Sequence, residues 1–209
     1  MMKIGIIGAG YVGRALAAMA VKQGHEAMIS NSRGPHTLFS DAAILGCKTG
    51  TIDEAARFGD IVVVAITLKH YTAVPVEPLA GKIVIDTNNY YPQRDDAIEA
   101  LDNGTTTSSE LLAAHLPASK IVKAFNAIIM THIDRDSQPT GSFDRRALPL
   151  CGDDVEAKRV VSDLYDQFGF DTVDVGPLAE GWRFQTNTPA YCVRLNKEWL
   201  PKALAAAVR

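Results

Sequence analysis

Short apolar runs alternate with amphipathic stretches along this chain, and the alternation predicts strands and helices in turn. Residues 3–7 form an apolar run, and the apolar residues at positions 12, 15, 16 and 19 share one face of a helix. The runs at 61–66 and 83–85 are apolar and mostly β-branched, as is typical of central strands covered on both faces. The pattern predicts an α/β fold with a doubly wound, mostly parallel sheet.

Helix-capping motifs and shorter apolar runs extend the alternation of helices and strands along the rest of the chain. Capping motifs at Thr51 and Thr107, each followed three residues later by Glu, predict the starts of two helices. The pair Asp153 and Asp154 predicts the start of another helix near the middle of the second half. Further strands are predicted at 27–30, 47–49, 121–125, 148–151 and 171–175.

The second half of the chain is predicted to begin with a long loop or a boundary and to end in a mostly helical segment. Residues 131–145, rich in Asp, Ser, Gly and Pro, predict a long loop or a boundary between halves. Residues 178–209 are predicted to be mostly helical, with interruptions near Pro189 and Pro201. We therefore expect a nucleotide-binding domain at 1–126 and a smaller C-terminal α/β part at 127–209, and the two can count as one domain.

Glycines at the spacing G-x-G-x-x-G follow the first predicted strand and lead into the first predicted helix. Such glycines permit a tight turn, close approach of the backbone to a pyrophosphate, and close packing of helix on strand. The free N–H groups at the helix start then face the anion. The setting predicts a Rossmann-type dinucleotide site, the alternative being an ordinary turn. The predicted cofactor-binding loop consists of Gly8, Ala9, Gly10, Tyr11, Val12 and Gly13.

The tip of the second predicted strand indicates which dinucleotide is bound. NAD-specific sites place a carboxylate there for the ribose hydroxyls, whereas an arginine there accommodates the 2′-phosphate of NADP. This chain has Asn31, Ser32 and Arg33, and no carboxylate. A guanidinium forms charge-assisted hydrogen bonds with phosphate, so the sequence favours NADP(H) over NAD. The alternative is that Arg33 is simply a solvated side chain in a polar loop.

Composition and charge exclude several classes of function. The chain has 209 residues, 47% of them hydrophobic, and a formal net charge of −3 with both signs interspersed. There is no basic face for nucleic acid and no apolar run long enough to span a membrane. Cys47, Cys151 and Cys192 have no metal-ligand spacing, so we expect reduced core thiols and no metal site. The apolar residues at the start of the sequence belong to the strand of the G-x-G-x-x-G motif and not to a targeting segment. We therefore expect a cytoplasmic protein.

Several separate blocks give the chain a family resemblance. It resembles the NADPH-dependent coenzyme F420 reductases nearly from end to end, and it is similar to the cytoplasmic NADPH-binding domain of six-transmembrane metalloreductases. The blocks are the glycine loop, residues 31–33, Ala124-Phe125-Asn126, residues 150–154 with 158–161, and residues 174–178.

The resemblance implies a hydride transfer between the nicotinamide of NADP and a deazaflavin ring, in a homodimer built through the C-terminal part. It also implies that the nicotinamide lies near the loop after the 61–66 strand and beside Asn126-Ala127-Ile128. The corresponding loop positions here are Ile66 and His70. This chain has Thr67-Leu68 where the family often has Pro-Trp, and the acceptor therefore stays open between F420, FMN, FAD and another small molecule.

Hydride transfer between planar rings requires placement and exclusion of water, but no protein acid or base. Apolar residues expected around the contact are Ile66, Leu68, Ile128 and Ile129. His70, Asn126 and Asn88 can hydrogen-bond the carboxamide or the acceptor ring. The alternatives are a surface imidazole for His70 and a turn-capping role for Asn88 and Asn89. Ala65 and Thr67 complete the expected cofactor-binding residues.

Three functions compete on these observations. The first is an NADP(H)-dependent oxidoreductase that reduces or oxidises a deazaflavin or flavin-like acceptor. The second is a dehydrogenase of a small hydroxy acid or imine, which ranks lower because such enzymes usually add a substantial helical domain. The third is a non-catalytic NADPH-binding redox sensor. Turnover of NADPH in the presence of an acceptor distinguishes the sensor from the enzymes.

Overall fold

The computed structural model describes all residues 1–209, and a single eight-stranded sheet runs through it. The strand order is β3-β2-β1-β4-β5-β6-β7-β8, and every neighbouring pair is parallel except β6 and β7. The strands are β1 (Lys3–Ile7), β2 (Glu26–Ser30), β3 (Lys48–Thr49), β4 (Ile61–Val64), β5 (Ile83–Asp86), β6 (Lys120–Lys123), β7 (Ala147–Gly152) and β8 (Asp171–Asp174). The expected α/β fold with a mostly parallel sheet is confirmed.

Helices cover both faces of the sheet, and apolar residues pack in one core on each face. The α-helices are α1 (Tyr11–Lys22), α2 (Phe39–Leu45), α3 (Ile52–Phe58), α4 (Pro92–Asp95), α5 (Glu99–Asp102), α6 (Ser108–His115), α7 (His132–Arg135), α8 (Val155–Gln167) and α9 (Leu200–Ala205). Four 3₁₀ segments lie at Pro35–Leu38, Leu68–Ala73, Glu77–Leu79 and Leu178–Phe184. None of the helices combines the length and apolarity that crossing a membrane requires.

Local signals in the sequence set the starts of three helices. The Thr51 hydroxyl accepts a hydrogen bond from the backbone N–H of Glu54, whose carboxylate accepts one from the Thr51 N–H. Thr107 and Glu110 repeat this reciprocal capping box at α6. Asp154 caps α8 by accepting from the N–H of Ala157 at 2.7 Å. These predicted helix starts are confirmed. They could be predicted because each capping contact joins residues only three positions apart.

The prediction of a mostly helical segment at 178–209 is wrong. Only the 3₁₀ segment Leu178–Phe184 and α9 are helical there, and residues 185–199 form an irregular segment. Asn187 and Cys192 take positive φ angles of 67° and 58°, which a helix excludes. Pro201 lies in the first turn of α9, where proline is tolerated, so it does not interrupt a helix.

Two smaller expectations also need correction. The predicted loop at 131–145 contains the short helix α7, and its last residue, Arg145, is buried against Asp166 and Asp171. The three cysteines are free, as expected, but only Cys151 is a core thiol, whereas the other two are half-buried. Burial of Arg145 is possible because its guanidinium donates hydrogen bonds to the carboxylates of Asp166 and Asp171 and to the Asp166 backbone carbonyl.

Candidate functional site

The glycine loop joins β1 to α1 at the carboxyl edge of the sheet. Gly8 has a φ of +110°, and a Cβ there would lie 2.1 Å from the carbonyl oxygen of Ala65. A Cβ on Gly13 would lie 1.9 Å from the carbonyl oxygen of Gly8, so helix and turn are in close contact. A Cβ on Gly10 would meet nothing within 4 Å. Two glycines therefore serve packing, and the third leaves open space above the helix start.

The N-terminus of α1 is suited to an anion. Gly10 is the N-cap residue, no side chain caps the helix, and no acidic residue lies in its first turn. The first N–H groups of a helix have no partner within the helix, and its dipole places positive potential there. Arg14, one turn further on, pairs with Asp41 at 2.8 Å and ties α1 to α2. The open space over Gly10 is therefore bordered by unused N–H donors.

Two cavities meet at this point, and Gly10, Ala65, Ile66 and Thr67 line both of them. The first cavity, about 360 Å³, extends along the end of β2. The second cavity, about 440 Å³, extends across the ends of β5 and β6. A dinucleotide has two nucleoside halves joined by a pyrophosphate, and two cavities joined at an anion-binding helix start match that shape.

The first cavity contains the strand tip that the sequence singled out for cofactor choice. Asn31 and Ser32 line it, and the Asn31 side chain accepts a hydrogen bond from the Arg33 N–H at 2.9 Å. Asn31 also donates to Thr37 Oγ1 at 2.9 Å, which fixes the turn. Arg33 is exposed and pairs with no carboxylate. Its guanidinium, on the residue after the cavity-lining Ser32, is free to pair with a negatively charged ligand.

His70 lies in the first cavity and not in the second. It belongs to the 3₁₀ segment Leu68–Ala73, which borders the first cavity, and its expected place beside the nicotinamide stays a prediction. His70 therefore shares a cavity with Asn31 and Ser32. Leu68, which we expected near the contact between the two rings, is fully buried in that segment and lines neither cavity.

Two buried asparagines line the second cavity, and each has one polar atom without a partner. Asn88 accepts a hydrogen bond from the Ile66 N–H at 3.0 Å, and its Nδ2 has no partner. Asn126 donates to Asn89 Oδ1 at 3.1 Å and to the Phe184 carbonyl at 2.9 Å, and its Oδ1 has no partner. These contacts fix which end of each amide is the oxygen. The pair offers one unused donor and one unused acceptor.

The backbone before Asn126 is held in an unusual conformation. Phe125 takes a φ of +57°, and its N–H donates to the Tyr165 hydroxyl at 2.8 Å. That hydroxyl donates in turn to the Pro149 carbonyl, and burial raises the pKa of Tyr165. A left-handed phenylalanine is uncommon and persists where the surroundings determine it. The predicted strand at 121–125 therefore ends early, at Lys123.

A buried polar network lies behind the second cavity. The Lys123 ammonium is fully buried and donates to the Asn88 carbonyl at 3.0 Å and to the Ser109 hydroxyl at 3.2 Å. Ser109 donates to the Asp86 carboxylate at 2.6 Å, and that carboxylate also accepts from the Asn88 N–H. Burial lowers the pKa of Lys123. The network fixes the backbone on both sides of the Asn88 side chain.

Several residues that line the second cavity belong to no motif in the sequence and were not predicted. Tyr91 and Arg94 come from the segment after β5, and Tyr191 and Cys192 come from the irregular C-terminal segment. Tyr191 lies 100 residues from Tyr91, and their hydroxyls form a short hydrogen bond. Contacts between residues so far apart in the sequence are set by the tertiary fold. The prediction of a helical C-terminal segment also gave no reason to expect Tyr191 in this cavity.

The structure brings most of the expected site residues together along one edge. Tyr11, Val12, Ile128 and Ile129 line the second cavity together with the two asparagines. Ala9 packs against the core instead, within the glycine loop. Trp182 and Arg183, in the 3₁₀ segment Leu178–Phe184, line neither cavity, and the Arg183 guanidinium lies 4.4 Å from the Trp182 ring centroid.

Comparison with known proteins identifies the relatives of this fold and site. Residues 3–90 match the family model described as NADP oxidoreductase, coenzyme F420-dependent. The chain is 28% identical over 156 residues to the F420-dependent NADP reductase of Methanocaldococcus jannaschii, covering 71% of this chain and 66% of that protein.

Two further relatives are similar over nearly the whole chain. Metalloreductase STEAP3 of Rattus norvegicus is 30% identical over 209 residues, which cover 98% of this chain and 39% of that protein. The crystal structure of the hypothetical protein SMa0349 from Sinorhizobium meliloti superposes with a TM-score of 0.80 at 31% identity, covering 94% of this chain and 96% of that one. The chain thus spans well under half the length of the metalloreductase.

Proposed function

Because residues 3–90 match the model of the coenzyme F420-dependent NADP oxidoreductases and the chain is similar to an F420-dependent NADP reductase, we propose that it transfers a hydride between NADP(H) and a deazaflavin or flavin-like acceptor. These similarities support the coarser assignment, an NADP-dependent oxidoreductase. The acceptor and the hydride transfer are the parts that the proposal adds. The arrangement of the two cavities supports both parts.

The residues along the carboxyl edge fit NADP(H). The open space over Gly10 and the uncapped start of α1 suit the pyrophosphate, and the first cavity suits the adenosine half. Ser32 lines the first cavity, and the exposed, unpaired guanidinium of the next residue, Arg33, is proposed to bind the 2′-phosphate. No carboxylate of the β2 tip opposes that phosphate. The bound cofactor is therefore proposed to be NADP(H), not NAD(H).

The observation that carries the proposal is the pair of unpartnered amide atoms in the second cavity. A nicotinamide carboxamide has one carbonyl oxygen and one NH₂ group. Asn88 offers an unused NH₂ and Asn126 an unused oxygen, so the pair is complementary to that group. Buried polar atoms without a partner are rare in folded proteins, and a ligand that pairs with them accounts for their retention.

When bound, NADPH supplies a hydride from C4 of its nicotinamide ring. The protein's own residues contribute orientation and dryness. Asn88 and Asn126 fix the rotation of the ring through its carboxamide, and the Lys123 network holds Asn88 in place. Ile66 and Ile128 supply apolar walls that exclude water from the contact between the rings. The remaining volume of the second cavity is open to a planar acceptor.

An anaerobic spectrophotometric assay tests the proposal. NADPH consumption is followed with coenzyme F420, FMN, riboflavin, menadione and a ferric chelate as separate acceptors. We expect turnover with at least one of the ring acceptors. The variant Asn126→Leu, which removes the unused oxygen, is expected to lose most of kcat/KM, whereas Asn103→Leu at the end of α5 is a control outside the site.

The assay also separates the proposed enzyme from the alternatives. Tight NADPH binding without turnover on every acceptor contradicts the proposal and favours a redox sensor. Reduction of the ferric chelate without any ring acceptor contradicts the acceptor class and leaves an NADPH oxidoreductase. The homodimer and the cytoplasmic location that the resemblance and the sequence suggest stay predictions.

A further inference from the structure

Two tyrosines from distant parts of the chain meet in the second cavity. The hydroxyls of Tyr91 and Tyr191 hydrogen-bond to each other, and both residues line the cavity. The Tyr91 N–H donates to the Asp95 carboxylate at 2.9 Å, and the Arg94 guanidinium lies 4.7 Å from the centroid of its ring. These contacts fix the position of Tyr91, and the mutual hydrogen bond places the Tyr191 hydroxyl against it.

The pair has one more proton than its mutual hydrogen bond uses. Two neutral phenols carry two hydroxyl protons, and their mutual contact uses one. Neither hydroxyl hydrogen-bonds a protein carbonyl or carboxylate, and the adjacent Cys192 thiol is only a weak acceptor. One O–H donor is therefore available to a ligand in the second cavity.

The cavity also contains the two amides proposed to hold the nicotinamide, Asn88 and Asn126. A molecule that receives the hydride from that nicotinamide would therefore share the cavity that the tyrosines line. Flavins, deazaflavins and quinones carry carbonyl oxygens conjugated with the atom that receives the hydride. Such an oxygen takes up part of the negative charge that arrives.

We propose that the Tyr91–Tyr191 pair donates a hydrogen bond to a carbonyl oxygen of the acceptor and stabilises the charge that hydride transfer places there. The inference rests on the proposed function and deepens it. It specifies the substrate class as planar conjugated carbonyl compounds. Fixed donors aimed at developing charge act in this way in oxyanion holes.

The chemistry balances without a proton leaving either tyrosine. The C4–H bond of the reduced nicotinamide breaks, and both of its electrons move with the hydrogen into a new bond on the acceptor, which is a C–H bond in a deazaflavin and an N–H bond in a flavin. The acceptor gains one negative charge, which is shared with the hydrogen-bonded carbonyl oxygen and is later neutralised by a proton from water. Burial raises the pKa of Tyr191, so this phenol stays protonated and remains a donor.

Phenylalanine variants test the inference, because they remove the hydroxyls and keep the rings. The set comprises Tyr91→Phe, Tyr191→Phe and the double variant, with Tyr71→Phe as a matched control. Tyr71 lies in the 3₁₀ segment against His115 and lines neither cavity. The measurements are the Kd for NADPH by fluorescence, and kcat and KM with FMN and menadione by NADPH consumption.

We expect the double variant to lose about 100-fold in kcat, as removal of one oxyanion-hole donor does elsewhere. Its Kd for NADPH should stay within about twofold of wild type, because neither tyrosine hydroxyl hydrogen-bonds Asn88 or Asn126. The Tyr71→Phe control should behave as wild type. An unchanged kcat in the double variant, with active wild-type protein, overturns this inference alone. Wild-type protein that consumes no NADPH with any acceptor overturns the proposed function and this inference with it.

Discussion

The substitution Arg33→Ala tests how the chain distinguishes NADPH from NADH. The guanidinium is exposed, has no carboxylate partner, and follows directly on Asn31 and Ser32 of the first cavity. Removing it leaves the Asn31 turn intact, because that turn uses only the backbone N–H of residue 33. The variant therefore removes one charge and leaves the surrounding fold unchanged.

The size of the effect follows from the exposure of Arg33. A hydrogen bond between charged groups contributes about 1.5–3 kcal/mol, and solvent screening at an exposed site favours the lower end. A loss of about 1.5 kcal/mol corresponds to roughly a tenfold weaker Kd. NADH has no 2′-phosphate, so its affinity should change less than about twofold. Added salt should reduce the difference between wild type and variant.

Isothermal titration calorimetry with both nucleotides measures the two affinities on the same protein sample. Arg159→Ala is the matched control, since Arg159 is an exposed arginine on α8 that pairs with Glu156 and Asp163. The control should bind both nucleotides as wild type does. An equal loss of affinity for NADPH and NADH in Arg33→Ala, or no loss at all, would refute the assignment of this arginine to the 2′-phosphate.

Three further predictions concern the glycine loop and the buried groups. Gly10→Ala should weaken NADPH binding about tenfold or more and leave the thermal midpoint unchanged. Gly13→Ala should lower the free energy of unfolding by about 2 kcal/mol, because the added Cβ would lie 1.9 Å from a carbonyl oxygen. Lys123→Met should lower the free energy of unfolding, measured in urea, by about 3 kcal/mol, because the buried Asp86 carboxylate loses its compensating charge. A decrease of less than about 1 kcal/mol would contradict that reading. Burial raises the pKa of Cys151 to about 12, so a thiol reagent at neutral pH should label it only after unfolding, and labelling in the native protein would contradict its burial.

The sequence predicted the features that depend on neighbouring residues. The G-x-G-x-x-G spacing, the capping boxes and the apolar runs are local, and each corresponds to an element of the fold. Asn126 was singled out by the family resemblance, and Asn88 as a polar side chain able to hydrogen-bond the carboxamide or the acceptor ring. Their unpartnered atoms, however, depend on contacts with Ile66, Asn89 and Phe184, which only the folded chain brings together.

Features that depend on distant contacts were not predictable from the sequence. Nothing local indicates that β7 runs antiparallel to β6, or that the Lys123 ammonium lies buried between Ser108, Ser109 and Asn88. The polar residues around Asn187 fit a loop as well as an interrupted helix, and the backbone contact of Ala147 with Leu195 selects the loop. Tyr191 enters the second cavity only through that irregular path.

A crystal structure of the protein with NADP⁺ tests the central claim most directly, namely that one dinucleotide spans the two cavities across Gly10. The account predicts the adenosine 2′-phosphate beside Ser32 and Arg33, and the carboxamide between the Asn88 NH₂ and the Asn126 oxygen. A nucleotide bound in the reverse orientation would contradict the account, and so would crystals in which both cavities stay empty at saturating NADP⁺.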